Sequence, residues 1–194
     1  MKGLYILTFF LIFACSGQRD QLGERDQDNL KANYFRNTFL KKFKRLDLPT
    51  NIIEGKQIDP KELTANDPKS LDSLFTQSGT ILCYGILPDT SNFYTLIFYA
   101  PTVTFIPVIS TYDKKGNRIS DKGIDFGCWD GGPYDYSCDG HLTVDNEMNL
   151  NLEHVTICND CDSISTEPVK FIEKRKGKIK NNGQVELEAR KEGE

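Results

Sequence analysis

The chain has 194 residues, with 24 Lys or Arg against 28 Asp or Glu, so its formal net charge is −4. Apolar residues make up 38% of the chain and charged residues 27%. These proportions exclude a collagen, a multi-span membrane protein and a fully disordered chain. No region stays basic for long, which argues against nucleic acid as a partner.

Residues 1–15 carry the information about where the protein is expected to go. Lys2 gives a short positive start, and residues 3–14 are almost unbroken apolar. Such a run suits the core of a signal peptide and is too short to span a bilayer, which needs roughly 20 residues. It ends with Ile-Phe-Ala-Cys at residues 12–15. This order of an aliphatic, a variable and a small residue before cysteine resembles the lipobox of bacterial lipoproteins.

The resemblance implies that residues 1–14 are a signal peptide that is removed and that Cys15 carries a diacylglycerol. Two or three acyl chains of the palmitate type would hold the protein firmly on a lipid bilayer, since each buried CH2 contributes about 0.8 kcal/mol. Ser16 stands where inner-membrane lipoproteins often have Asp, so we expect the outer membrane of a bacterial envelope. The alternative is an ordinary secretory signal with an incidental cysteine.

Residues 15–29 are predicted to be the lipidated cysteine and a flexible tether, followed by a single globular domain at 30–190. The tether is polar and cannot bury apolar area. A helix is predicted over residues 30–46, because Phe35, Phe39 and Phe43 recur at a spacing of four. Its basic residues indicate a solvated face or, alternatively, a contact with anionic lipid near the anchor.

A second, shorter helix is predicted after Asp67, with Asp67 as its N-cap and Pro68 in its first turn. From residue 80 onward the pattern changes to short segments rich in aromatic and β-branched residues, which indicates strands. Asp113 to Asn117 and Asn181 to Gly183 are predicted tight turns. Strands are predicted at 81–87, 93–99, 103–112, 118–126, 141–145, 149–157, 169–174, 178–180 and 185–189.

The order of these elements predicts an α+β fold. One or more N-terminal helices would pack on an antiparallel β-meander, which would form a curled sheet or an open barrel.

Five cysteines follow Cys15, and an oxidising envelope favours their pairing. Cys83 lies in an apolar strand and is expected to be the odd, buried thiol. The other four allow three pairings. They are Cys128, Cys138, Cys158 and Cys161. We expect the pairs 128–138 and 158–161, and the first would contribute about 2.8 kcal/mol by closing its loop.

Two other uses of these cysteines are less favoured. A redox site at 158–161 lacks the following helix that lowers a thiol pKa. A four-cysteine zinc site would need thiolates in an oxidising compartment, and its first pair is spaced too widely. The acids between residues 121 and 162 form no recognisable calcium loop and are expected to be solvated. The sequence therefore predicts no metal and no cofactor.

Segment 127–139 is the most unusual part of the chain, since Trp129, Tyr134 and Tyr136 lie there among glycines and acids. Exposed aromatic side chains can stack on sugars or insert into a protein partner, or they can fold back over a sheet edge. We retain them as a speculative binding site. His141 and His154 are expected at the surface. No catalytic motif is present in the sequence, so no catalytic residue is assigned.

Turns and strand positions such as Thr111–Ile119 and Thr143–Leu150 resemble small envelope lipoproteins of bacteroidete-type bacteria. The resemblance implies architecture and location, and no functional residue is carried over from it. The leading prediction is a membrane-anchored, non-enzymatic binding or structural module with a protein or glycan partner. The alternatives are a small carboxylate-based hydrolase of the envelope and a lipid-handling protein with an apolar cavity.

Overall fold

The structure is a computed structural model in which an N-terminal helix and two β-sheets form three layers. Among the described residues, no helix is both long and apolar enough to cross a membrane. The described residues are 26–54, 59–76, 79–88, 92–101, 105–126, 136–159 and 168–190.

The helical layer differs from the prediction at both ends. Residues 26–34 are α-helical, so the predicted tether is wrong at 26–29, where the polar residues form helix ahead of the buried phenylalanines. The helix continues through a π turn, Phe35–Phe39, and a 3-10 turn, Leu40–Lys42. It stops before Leu46 because Lys44–Arg45 pair with a strand and Leu46 packs against Gly85.

A second helix is not confirmed. Leu71–Leu74 form a single 3-10 turn, and the side chain of Ser70, not Asp67, caps it by accepting from the amide of Asp72. Another short 3-10 turn spans Pro60–Glu62, with Asp59 accepting from the amide of Lys61.

Eleven strands lie in the described part of the chain. Each sheet is built around a four-strand antiparallel meander. The first sheet contains β1 (Lys44–Arg45), β3 (Thr64–Ala65), β4 (Leu82–Ile86), β5 (Phe93–Pro101), β6 (Phe105–Asp113) and β7 (Arg118–Gly123). The second sheet contains β2 (Thr50–Ile53), β8 (Tyr136–Val144), β9 (Asn149–Cys158), β10 (Val169–Ile179) and β11 (Val185–Leu187).

The α+β class and the antiparallel meander are confirmed in outline, but other details differ from the prediction. The described strands form two sheets in place of the single curled sheet or open barrel that was expected, and these sheets are not closed into a barrel. The order of the second sheet is β11-β10-β9-β8-β2, so the early strand β2 pairs with β8 across a long stretch of chain. The break predicted between residues 174 and 178 is absent, because β10 continues through it.

Both faces of the first sheet are buried, and this fixes the order of the layers. Leu96 and Phe98 on β5 face the helix, where they join a cluster with Phe35, Phe39 and other side chains. Ile97, between them, faces the second sheet, as alternation along a strand requires. The main core therefore lies between the two sheets, and the helix closes the far side of the first one.

Candidate functional site

Most of the residues predicted to be functional lie outside the described residues. Within the described part, Tyr136 and Cys138 belong to β8 and Cys158 ends β9. Segment 127–139 lies between the predicted strands 118–126 and 141–145, and leaving its end out of a strand was wrong, because residues 136–139 pair with β9. The predicted site residues outside the described part are Cys15, Cys128, Trp129, Tyr134 and Cys161.

The three described candidates lie at one end of the second sheet. Tyr136 pairs with Cys158, which in turn pairs with Val169 on β10. Two residues further along β8, on the same face, Cys138 pairs with Thr156. We call residues 136–139, 155–158 and 169–172 the distal end of the second sheet.

Three of the cysteines after Cys15 lie in the described part of the chain. Cys83 is the free thiol of the described residues and is buried, as predicted. Burial raises the pKa of Cys83 to about 12, so the thiol is inert at neutral pH. Cys138 and Cys158 are not free, and both lie on the inward face of neighbouring strands. Their pairing with Cys128 and Cys161 stays a prediction.

Large apolar side chains are exposed at the distal end. Tyr136, Phe171 and Ile172 are 39%, 51% and 53% exposed, and they are three of the six exposed large hydrophobic side chains among the described residues. Phe171 and Ile172 are consecutive in a strand, so they point to opposite faces. Neither residue was predicted to be functional, although a Phe-Ile pair in a strand otherwise dominated by charge is a visible signal.

A polar cluster on the inward face borders Phe171. His154 lies opposite Glu173 across the β9–β10 pair, and the pair of Phe171 and Thr156 lies two residues along on the same face. The Nε2 atom of His154 lies 3.3 Å from the hydroxyl oxygen of Thr156. We call His154, Thr156, Glu173, Arg175 and Arg190 the inward polar cluster.

Two guanidinium groups hold the carboxylate of this cluster. The Nε atoms of Arg175 and Arg190 each lie 3.1 Å from a different oxygen of Glu173. The Arg175–Glu173 contact is an ion pair by distance but is not aligned as a hydrogen bond. Arg175 also donates to the backbone carbonyl of Asp125, which ties β10 to the segment after β7.

His154 is buried, so the prediction of a surface position is wrong for this residue, whereas His141 is exposed on the opposite face. Burial lowers the pKa of His154; Arg190 and Arg175 act in the same direction, and Glu173 and Asp125 oppose them. The imidazole is therefore neutral at pH 7. Its environment favours packing and hydrogen bonding over a charged role.

The inward polar cluster has the properties of a structural clamp. A general acid or base of the glycosidase type needs a carboxyl group whose pKa is raised. In the described residues, the carboxyl pKa values that shift clearly are lowered, at Asp113, Asp145 and Glu153. The carboxylate oxygens of Asp113 and Asp145 accept hydrogen bonds from turn amides and from the side chains of Asn117 and Asn149.

The described residues contain no group of three His, Cys, Asp or Glu side chains that could hold a metal ion. An open surface depression lies beside β10 and β11, lined by both charged and apolar residues, among them Lys122, Lys176, Val185 and Glu188.

No protein family model matches the chain, and no curated protein or solved structure matches it either.

Proposed function

We propose that this protein is a lipid-anchored protein of the bacterial envelope whose folded domain binds a protein partner through the distal end of the second sheet. The observation that carries the proposal is the exposure of Tyr136, Phe171 and Ile172 at that end. An exposed apolar group costs solubility, and clusters of such groups are typical of interaction sites. Aromatic side chains are also enriched at the centres of protein interfaces.

The order of the layers supports this division of roles. The helix, which follows the predicted lipid attachment in the chain, packs on the side of the first sheet that faces away from the second. Tyr136 and Phe171 lie on the inward face at the distal end, and Ile172 lies on the outward face. The outward face points away from the helix layer, so a partner could reach Ile172 without displacing the N-terminal segment.

The inward polar cluster supports a binding role over a catalytic one. Glu173 is held by two arginines, and burial keeps His154 neutral. These groups stiffen β9 and β10 directly beside Phe171, so the apolar side chains are presented on a rigid support. A rigid surface loses less conformational entropy when a partner binds.

The lipid anchor is tested by intact-mass analysis of the protein from the membrane fraction of its host. We expect a chain that begins at Cys15 and carries the mass of its acyl chains. The variant Cys15→Ser should retain the leader and carry no lipid mass. A wild-type chain without added lipid mass would contradict the anchor.

The binding surface is tested by site-specific photo-crosslinking in the intact envelope. A crosslinker at position 172 should give one discrete adduct, and a crosslinker at Leu30, which is exposed on the helix, is the matched control. The variant Phe171→Ser should abolish the adduct at 172. Equal adducts at both positions, or an adduct that Phe171→Ser leaves unchanged, would remove the distal end from the proposal.

A further inference from the structure

Strand β10 has an edge that is only partly covered. It pairs with β9 from Val169 to Lys178, whereas β11 pairs with it only from Gly177 to Ile179. The amide of Glu188 extends this coverage by donating to the carbonyl of Lys176 at 2.9 Å. No described strand pairs with residues 169–175 on that side.

The uncovered edge offers a regular row of backbone groups. In an antiparallel ladder, alternate residues direct both N–H and C=O to the same neighbour. Lys176 directs its carbonyl toward the β11 side, so Lys170, Ile172 and Lys174 direct theirs the same way. Three amides and three carbonyls are therefore aligned for an added strand.

The side chains along this edge define the chemistry of that strand. The sequence of β10, VKFIEKRKGKI, contains five cationic side chains and one acid, although the whole chain is acidic. Lys170 and Lys174 flank Ile172 on the outward face, and Phe171 lies on the inward face. Carboxylates on the outward face of an added strand would lie next to the two lysines, while apolar side chains on its inward face would contact Phe171.

The same lysines argue against a second copy of this chain. A two-fold pairing of β10 with itself across Ile172 places Lys170 of one copy opposite Lys174 of the other, on the same face. Like charges at directly opposed positions destabilise a strand pair, and lysine on an edge is a common protection against self-pairing.

We infer that the edge of β10 over residues 169–175 binds an extended acidic segment of a partner protein by β-strand addition. Backbone hydrogen bonds would supply affinity, and the alternating side chains would supply specificity. This inference rests on the proposed function and specifies how the partner is recognised at the same distal end.

The test uses the full mature chain and a capped probe peptide of alternating Glu and Val, with a matched peptide of alternating Lys and Val. Each peptide is titrated into the protein to measure its Kd, and amide hydrogen exchange of the protein is measured residue by residue. We expect the Glu peptide to bind, the Lys peptide to bind at least tenfold more weakly, and the amides of Lys170, Ile172 and Lys174 to exchange more slowly in the complex.

Ile172→Pro separates edge pairing from other modes of binding. Proline lacks the N–H that faces the open edge, and this change leaves the bonds to β9 intact. It should weaken binding of the Glu peptide at least tenfold, whereas Ile172→Val should leave binding unchanged. The double variant Lys170→Glu with Lys174→Glu should reverse the preference between the two peptides, which keeps the test decisive if the proline variant fails to fold.

Three results would overturn the inference. The first is slow exchange of these three amides in the free protein, since the edge would then already be covered. The second is equal binding of both peptides, and the third is unchanged binding to a folded Ile172→Pro chain. A crosslink at position 172 that persists in Lys170→Pro, which removes another N–H of the same open edge, would reject strand addition and leave the proposed binding function standing.

Discussion

Replacing Phe35 by alanine should strongly destabilise the protein, because this side chain joins the helix to the first sheet. Phe35 is fully buried. Its ring centroid lies 4.9 Å from that of Phe75, 5.3 Å from that of Tyr112 and 5.8 Å from that of Phe39. The substitution removes all of these ring contacts at once.

The magnitude follows from how little the site can relax. Phe→Ala changes in protein cores cost about 3–5 kcal/mol, and the cost is greater where the cavity cannot collapse. The surrounding rings are themselves packed, and a methyl group added to Gly116 would lie only 2.8 Å from Phe35 Cγ. We therefore expect a loss in the upper half of that range, about 4–5 kcal/mol. For a chain of this size the loss corresponds to a fall in Tm of roughly 8–20 °C.

Urea unfolding, followed by far-UV and near-UV circular dichroism, measures the change. The matched control is Leu30→Ala on the same helix, where the side chain is exposed and the loss should stay below about 0.5 kcal/mol. A loss below about 1.5 kcal/mol for Phe35→Ala would refute the reasoning. So would two separate transitions of which the substitution moves only one, since the helix would then not be part of a single cooperative unit.

Three further predictions concern single residues. Gly116→Ala should lower the free energy of unfolding by about 1–3 kcal/mol, because Gly116 has a φ of +84° and a methyl group there would crowd Phe35. The control is Gly123→Ala, which has open space around it and should be close to neutral in the same urea assay. Cys83 should react with a thiol reagent at pH 8 only after unfolding, since its pKa is about 12 in the folded chain, and native reactivity at the unfolded rate would contradict this. Because the folded-state pKa of His154 is lowered, the unfolded chain binds this proton first, so stability should fall as the pH drops below 6.5. A His154→Gln variant that kept the same pH dependence between pH 5 and 6.5 would show that another group is responsible.

The features predicted best from the sequence are those that a few neighbouring residues determine. The turn after β6 is an example, since Asp113 accepts hydrogen bonds from the amides of Lys115 and Asn117. Gly116 supplies the positive φ that the turn requires. Strands β5, β6 and β9 were also predictable, because they are rich in aromatic and β-branched residues, whereas β8 and β10 were predicted only in part.

The short strands could not be predicted, because distant partners define them. Thr50–Ile53 is a strand only through its pairing with residues 141–144 of β8. Lys44–Arg45 is a strand only because it lies along β4. Two to four residues contain too little periodicity to indicate an edge, so the division of the meander into two sheets was not visible either.

The inward polar cluster was hidden for a related reason. A histidine in a polar strand gives no local sign of burial, and His154 is buried because β10 and the C-terminal segment bring Glu173, Arg175 and Arg190 to its face. A break in the strand was predicted between Lys174 and Lys178 for the same reason, since the local sequence does not show what these residues pack against. The strand continues there because Arg175 turns inward to Glu173 and Asp125 while its lysine neighbours point outward.

The basic residues of the helical layer divide into two groups, and this bears on the alternative of a lipid contact. Lys42 forms an ion pair inside the protein, because it donates to the carboxylate of Asp72. That carboxylate has no exposed surface and also accepts a hydrogen bond from the hydroxyl of Tyr34 at 3.1 Å. Removing that lysine would leave a buried charge without its ion-pair partner, so its presence is explained by stability alone.

Lys41 and Lys44 are exposed in the same layer. Only such exposed cations could add to attraction for an anionic bilayer, at about 1 kcal/mol each near the surface. That is far less than two acyl chains provide. The predicted membrane attachment therefore depends on Cys15, and the helix face can at most orient the domain.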